Sequence, residues 1–232
     1  MVIRAVSIRA AGKKRQVRKF ITLCQANVLL LHCLGRLATG SDDTKICIWR
    51  PGLNAVKQTS PIFSITHPRL SYGLESSIGT GHQANIFSLK WAPTMENRLF
   101  SCAGDATARV HDLSATSATS VTSAGKTWRH HDQSACVRVL RCHTDRVKRI
   151  ATETSPDTFL TCAEDGQVRM HDLRVNHTCR RGHCGPPLLE YPGFSLYSLS
   201  ISKIRPHLFV VAGTSSYAYL RMSVSFLFLR HS

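Results

Sequence analysis

The sequence predicts an all-β chain assembled from a recurring unit of short antiparallel strands. Three observations carry this. A hydroxyl, an Asp and a ring recur at offsets 0, 4 and 10: Thr39, Asp43 and Trp49; Ser101, Asp105 and His111; Thr161, Asp165 and His171. Two copies carry an upstream histidine, His82 and His143. Each copy also alternates apolar with polar residues, broken by turn signals at short intervals. A unit of this kind cannot bury its own hydrophobic face and must stack on neighbours.

The elements follow in order. Residues 1–34 are basic and carry no repeat signature. Residues 35–50 (GSDDTKICIW within them) form a half repeat, because Phe20 stands where the upstream histidine belongs. A loop with three prolines is expected over 51–80. The second copy, 81–113, runs ANIFSLKWA, RLFSCAG, a turn at Gly104-Asp105, then ATARVHD. A Ser/Thr/Ala-rich loop is expected over 114–141. The third copy, 142–174, repeats the order as RVKRIAT, TFLTCAED and GQVRMHDL. A loop over 175–193 precedes a degenerate copy, 194–220, with Val210, Thr214 and Leu220 in place of hydroxyl, Asp and ring. Residues 223–232 are an unassigned tail. The ring positions are 62 and 60 residues apart, whereas one four-stranded unit needs about 40–45, so the connections carry the excess.

The spacing has a physical reading. Four residues carry the chain round a turn, and six more return the ring beside the hydroxyl. The Asp in the turn accepts from backbone amides and from the upstream imidazole. Thr39, Asp43, Trp49, His82, Ser101, Asp105, His111, His143, Thr161, Asp165 and His171 are thus expected to form buried polar chains that lock strand register. Ser, His and Asp also suggest a hydrolase triad. Recurrence at identical spacing favours a fold-holding frame, and no nucleophile elbow, phosphate loop or zinc-protease motif is present. No catalysis and no cofactor are expected.

GSDDTKICIW, TGHQANIFSLKWAP with SCAGDATARVHDL, and CHTDRVKRIAT with FLTCAEDGQVRMHDLR resemble WD40 repeats of a β-propeller. The phrases GHQANIFS, AEDGQVRMHDLR and SLYSLSISKIRPHLFVVAGTSSYAYL further resemble the cullin-4-associated WD-repeat factors, including those with tetratricopeptide repeats. The resemblance implies a partial, open propeller of three to four recognisable blades, and a piece, or an imperfect gene model, of something longer. Open strand edges are expected to lower solubility. It also implies a substrate receptor that binds a DDB1-type adaptor of a cullin-4 ligase and an unknown protein substrate. His171-Asp172-Leu173-Arg174 resembles the adaptor-docking ending Trp-Asp-x-Arg, with Arg174 as the anchor and Asp172 beside it. The other copies end His111-Asp112-Leu113-Ser114 and Trp49-Arg50 and do not fit.

Charge offers the alternative. The net charge is +16, and eight of the thirty Lys and Arg lie in residues 1–41 with no acidic residue among them. This start reads first as a disordered tail or wrongly joined exon sequence; Lys13-Lys14-Arg15 with Arg18-Lys19 could also serve nuclear targeting or bind nucleic acid, and an acid-free start also suits a mitochondrial leader. Arg138, Arg141, Arg146, Lys148 and Arg149 form a basic cluster suited to an acidic partner or to nucleic acid, in an RNA-processing or chromatin complex. It lacks the interleaved aromatics of a single-strand platform, so a protein partner is favoured. No apolar run approaches the ~20 residues that span a bilayer. Nine cysteines, an odd number, point to a reducing compartment, the nucleus or cytoplasm. His177, Cys179, His183 and Cys184 are ligand types, but His183 and Cys184 are adjacent, so no metal site is expected there.

Overall fold

The computed structural model describes residues 28–31, 35–51, 72–114, 130–131, 135–177, 179 and 184–222. The basic cluster at Lys13-Lys14-Arg15, Phe20, His183 and the tail lie outside the described residues.

Among the described residues sixteen strands form four sheets. The first holds β1 (Val28–Leu31), β2 (Leu37–Gly40), β3 (Lys45–Pro51) and β4 (Tyr72–Gly79), with the two-residue β8 (His130–His131) beyond β4. The second holds β5 (Ile86–Trp91), β6 (Arg98–Ala103), β7 (Ala108–Asp112) and β9 (Cys136–Leu140). The third holds β10 (Val147–Thr152), β11 (Thr158–Ala163), β12 (Gln167–Asp172) and β13 (Leu189–Glu190). The fourth holds β14 (Leu196–Ile201), β15 (Leu208–Gly213) and β16 (Tyr219–Met222). Pairing is antiparallel except at β4–β8. The first strands of successive sheets, β1, β5, β10 and β14, lie side by side, so the sheets fan out as blades of an open, partial propeller. Among the described residues no helix is long and apolar enough to cross a membrane.

A hydrophobic core sits between each pair of neighbouring blades. Ile46, Ile48 and Ile78 of the first meet Ile86, Leu89 and Leu99 of the second. Phe100 of the second stacks on Phe159 of the third with centroids 4.4 Å apart. Leu160 and Val168 of the third meet Leu196, Phe209 and Val211 of the fourth. Burying each such side chain contributes about 1.5–3 kcal/mol, so the blades stabilise one another rather than themselves.

Three expectations need correction. The half repeat is a full four-stranded blade, because β1 opens it and β4 closes it. The loops expected over 51–80 and 114–141 therefore end in strands, β4 and β9. These outer strands hide because they contribute little to the core: among their described side chains only Ile78 of β4 and Leu140 of β9 are buried and apolar, so alternation is faint and ladder pairing holds them. The degenerate copy is also displaced by one residue. Phe209 pairs with Arg221 as Phe159 pairs with His171, so Val211, Ser215 and Arg221 occupy the places of Thr161, Asp165 and His171. A slip of one residue exchanges the faces of a strand. Accordingly Val211 is 0% exposed while Val210 is 39% and Leu220 is 62% exposed.

Candidate functional site

The turn, the hydroxyl and the ring meet as side chains in the second and third blades. His111 Nε2 lies 2.8 Å from Ser101 Oγ, Ser101 Oγ lies 2.8 Å from His82 Nε2, and His82 Nδ1 lies 2.9 Å from Asp105 Oδ2. The third blade repeats this: His171 Nε2 to Thr161 Oγ1 2.8 Å, Thr161 Oγ1 to His143 Nε2 2.7 Å, and His143 Nδ1 to Asp165 Oδ2 2.9 Å. One assignment lets each ring and hydroxyl donate once, with the carboxylate accepting at the end. The ring at the far end donates its Nε2–H to the hydroxyl, the hydroxyl donates to the upstream imidazole, and that imidazole donates Nδ1–H to the carboxylate. His111 and His171 thus act as the indole does in the first blade, where Trp49 Nε1–H donates to Thr39 Oγ1 at 2.9 Å. Asp43 there accepts from the Lys45 amide at 3.1 Å, and no described imidazole links it to Thr39.

The same contacts set the charges. Burial, aided by His82 and Arg109, holds His111 neutral with its pKa down at about 3. Burial, with His143 and Arg169, brings His171 to about 3 as well. Burial raises Asp105, but the hydrogen bond and charge of His82, with Thr107 and the Gln83 amide, outweigh it and leave the carboxyl well below its ordinary range. Asp165 is lowered in the same way through His143. These residues are nearly closed to solvent: Ser101, Thr161 and His111 are each 0% exposed. Their burial and their repetition in two blades are what a frame that locks the strands requires.

What reaches solvent lies at the blade ends. Arg174 forks onto its own neighbour: Nε donates to Asp172 Oδ1 at 2.9 Å and Nη2 to Oδ2 at 2.6 Å, while its amide donates to Oδ1 at 3.0 Å. The Arg174 side chain stays 58% exposed. Arg174 pulls the Asp172 carboxyl below its usual range. At the matching point of the second blade, Ser114 caps Asp112 through its amide at 2.9 Å. The third blade thus presents a held guanidinium where the second presents a small hydroxyl.

The residues of the basic cluster are spread over two strands and the turn between them. Arg138 sits on β9, the outer strand of the second blade, and donates to the carbonyls of Leu173 at 2.9 Å and Val175 at 3.4 Å. Arg141 follows that strand. Arg146, Lys148 and Arg149 belong to the inner edge of the third blade. Lys148 pairs with Glu164 at 2.9 Å and lies over the Phe87 ring at 4.0 Å, and Arg146 is 3.9 Å from the same carboxylate. Sequence adjacency joined residues that the turn between β9 and β10 sends to different strands.

The sequence offers His177, Cys179 and Cys184 as ligand types with no metal site expected, and misses the fourth member of the cluster they form. Cys142, in that turn, meets His177, Cys179 and Cys184 from the segment after β12, with all four donor atoms within 4.8 Å of one another. Cys142 lies 35 residues upstream of His177, so no local spacing discloses it. A cleft of about 240 Å³ adjoins the cluster, lined by Arg138, Arg169, His171 and Asp172 among others.

The stacked blades and their buried polar chains define a blade-built interaction scaffold. Residues 75–112 and 134–172 match the family model described as WD domain, G-beta repeat. The chain is a WD40-repeat protein. It is 32% identical over 188 residues to WD repeat protein iqw1 of Schizosaccharomyces pombe, covering 79% of this chain and 20% of that one. It is 35% identical over 142 residues to human WD and tetratricopeptide repeats protein 1, covering 60% of this chain and 16% of that protein. It is 31% identical over 155 residues to human DDB1- and CUL4-associated factor 6, covering 66% and 14%. The chain thus spans about a fifth or less of the length of these relatives. Each matched repeat begins in the outer strand of the preceding blade: 75–112 starts within β4 and 134–172 takes in β9.

Proposed function

We propose that this WD40 scaffold serves as part of a substrate receptor of a cullin-4 ubiquitin ligase, with the end of the third blade meeting the ligase adaptor. The similarity to a protein named DDB1- and CUL4-associated factor 6 carries this reading. The form of the blade end supports it. Asp172 holds Arg174 in one orientation, so ordering an exposed arginine costs less entropy when a partner arrives. Guanidinium N–H groups not used by Asp172 remain for an acceptor on the adaptor. The receptor does no chemistry; it brings a protein substrate to the ligase.

The test is affinity purification of this chain from cells, wild type beside Arg174→Ala, probed for the DDB1-type adaptor. Recovery with wild type and a loss of about tenfold with the variant is expected, in line with removing a charge-assisted contact. Equal recovery, with circular dichroism showing both proteins folded, overturns the assignment.

A further inference from the structure

The segment between β12 and β13 is long, and its blade has the shortest outer strand of the three that have one: β13 holds two residues, paired only at Gln167↔Glu190 and Val168↔Leu189. A ladder that short holds little, so the segment needs another anchor. Cys142 provides the fixed point. It is 4% exposed, in the turn that also delivers His143 to the buried frame. Its Sγ lies 3.3 Å from His177 Nε2 and 3.3 Å from Cys179 Sγ, and Cys179 Sγ lies 3.5 Å from Cys184 Sγ. Cys179 and Cys184 rest against the core of the second and third blades.

We infer that Cys142, His177, Cys179 and Cys184 form a tetrahedral structural zinc site that staples the β12–β13 segment to the turn between the second and third blades. Three sulfurs and one imidazole nitrogen, with no carboxylate, are the donor set of a closed structural zinc centre. In a tetrahedron with Zn–S bonds of ~2.3 Å the sulfurs stand about 3.8 Å apart, so the short contacts open by a few tenths of an ångström and the widest separation, within 4.8 Å, closes by about 1 Å at most. Binding releases three thiol protons to solvent, and neutral His177 Nε2 donates its lone pair. The centre then carries one net negative charge. Arg138 and Arg169 line the adjoining cleft and offset it. They also grip the same segment, Arg138 at the Leu173 carbonyl and Arg169 at the Gly185 carbonyl, 2.8 Å away. The Arg141 amide donates to Cys179 Sγ at 2.7 Å, the kind of outer contact that orients a thiolate ligand. A disulfide would join two of the three sulfurs and leave the third sulfur and the imidazole without a role.

The full chain, made without a histidine tag in zinc-supplemented cells and purified under reducing conditions, is dialysed and analysed for metal. About one zinc per chain is expected. Cys142→Ser should lower it at least about tenfold, and so should His177→Ala, whose exposed ring can be removed without opening the core. Cys47→Ser, in the first blade, should leave it unchanged. Cobalt(II) in place of zinc should give the ligand-field bands of a tetrahedral thiolate centre. A folded wild type with less than about 0.2 zinc per chain, or an unchanged zinc content in His177→Ala, overturns the proposal. So does a Cys142–Cys179 disulfide found by mass spectrometry in the reduced preparation.

Discussion

The third and fourth blades share a backbone plan and differ in what lies inside it. Both pair antiparallel strands in the same register, and both bulge one residue into the first strand, at Lys148 and at Tyr197. In the third blade, Thr161, Asp165 and His171 join His143 in a buried polar chain. In the fourth, Val211, Ser215 and Arg221 stand at the same places, Pro192 falls where His143 would be, and the contacts turn outward. Ser215 Oγ meets Tyr219 Oη at 3.0 Å, and Arg221 Nε donates to Tyr191 Oη at 2.8 Å. Strand pairing and burial therefore suffice to build a blade. The polar chain adds register and an edge of fixed shape, because a slipped strand would leave its members unsatisfied.

The sharpest way to break this contrast is a reciprocal exchange. Thr161→Val should cost about 2–3 kcal/mol in urea denaturation, since it leaves the His143 and His171 nitrogens buried without the shared hydroxyl. Val211→Thr should also destabilise, by about 1–2 kcal/mol, because the fourth blade offers its hydroxyl no ring. If both were neutral, the polar chain would be decoration. Next in size is the turn after the Asp. Its left-handed residue is Gly166 in the third blade and Ala106 in the second, at φ +76° and +62°. A Cβ on Gly166 would sit 2.4 Å from the Tyr191 carbonyl oxygen. Gly166→Ala should lower the melting temperature by several degrees, equivalent to about 2–3 kcal/mol, whereas Ala106→Gly should raise stability by about 0.5–1 kcal/mol.

A gentler probe is pH. His111 titrates at about 3 in the folded chain and near 6.5 when unfolded, so the unfolded state binds the extra proton between those values. Stability from the second blade is complete above about pH 6.5 and declines as pH falls toward 3, by at most about 1.4 kcal/mol per pH unit from this group. Asp105, lowered in the fold, adds its own loss below the ordinary carboxylate range. Amide protection factors in β6 and β7, taken relative to the intrinsic exchange rate at each pH, should fall on acidification, while those in β14 and β15, which have no such chain, should change less. An equal fall in all four strands would erase the distinction.

The polar chain was legible in the sequence because its members must recur at fixed offsets. Thr39 with Trp49, and the two four-member sets, lie where those offsets put them. Features that depend on three-dimensional proximity were not legible. Outer strands β4 and β9 each have one buried apolar residue among their described side chains, so periodicity is weak where ladder hydrogen bonds do the holding. The fourth blade was misread by one residue because Val210 and Val211 are chemically alike and only burial tells them apart. Cys142 and Cys184 are distant in sequence, and a turn and a chain reversal bring them together. The basic cluster shows the opposite case, since neighbours in sequence lie on two strands either side of a turn.

The offset between repeat and blade has a consequence for a broken chain. Strand β9 belongs to the second sheet, yet it is continuous with the third blade, and residues 113–135 separate it from β7. A protease that cuts within 115–129 produces a nick and not a separation: the C-terminal fragment keeps β8 and β9 hydrogen-bonded to the first and second sheets of the N-terminal fragment. The same point is where the gene could be divided into two halves that reassemble, the second half supplying the outer strand that the first half's last blade lacks.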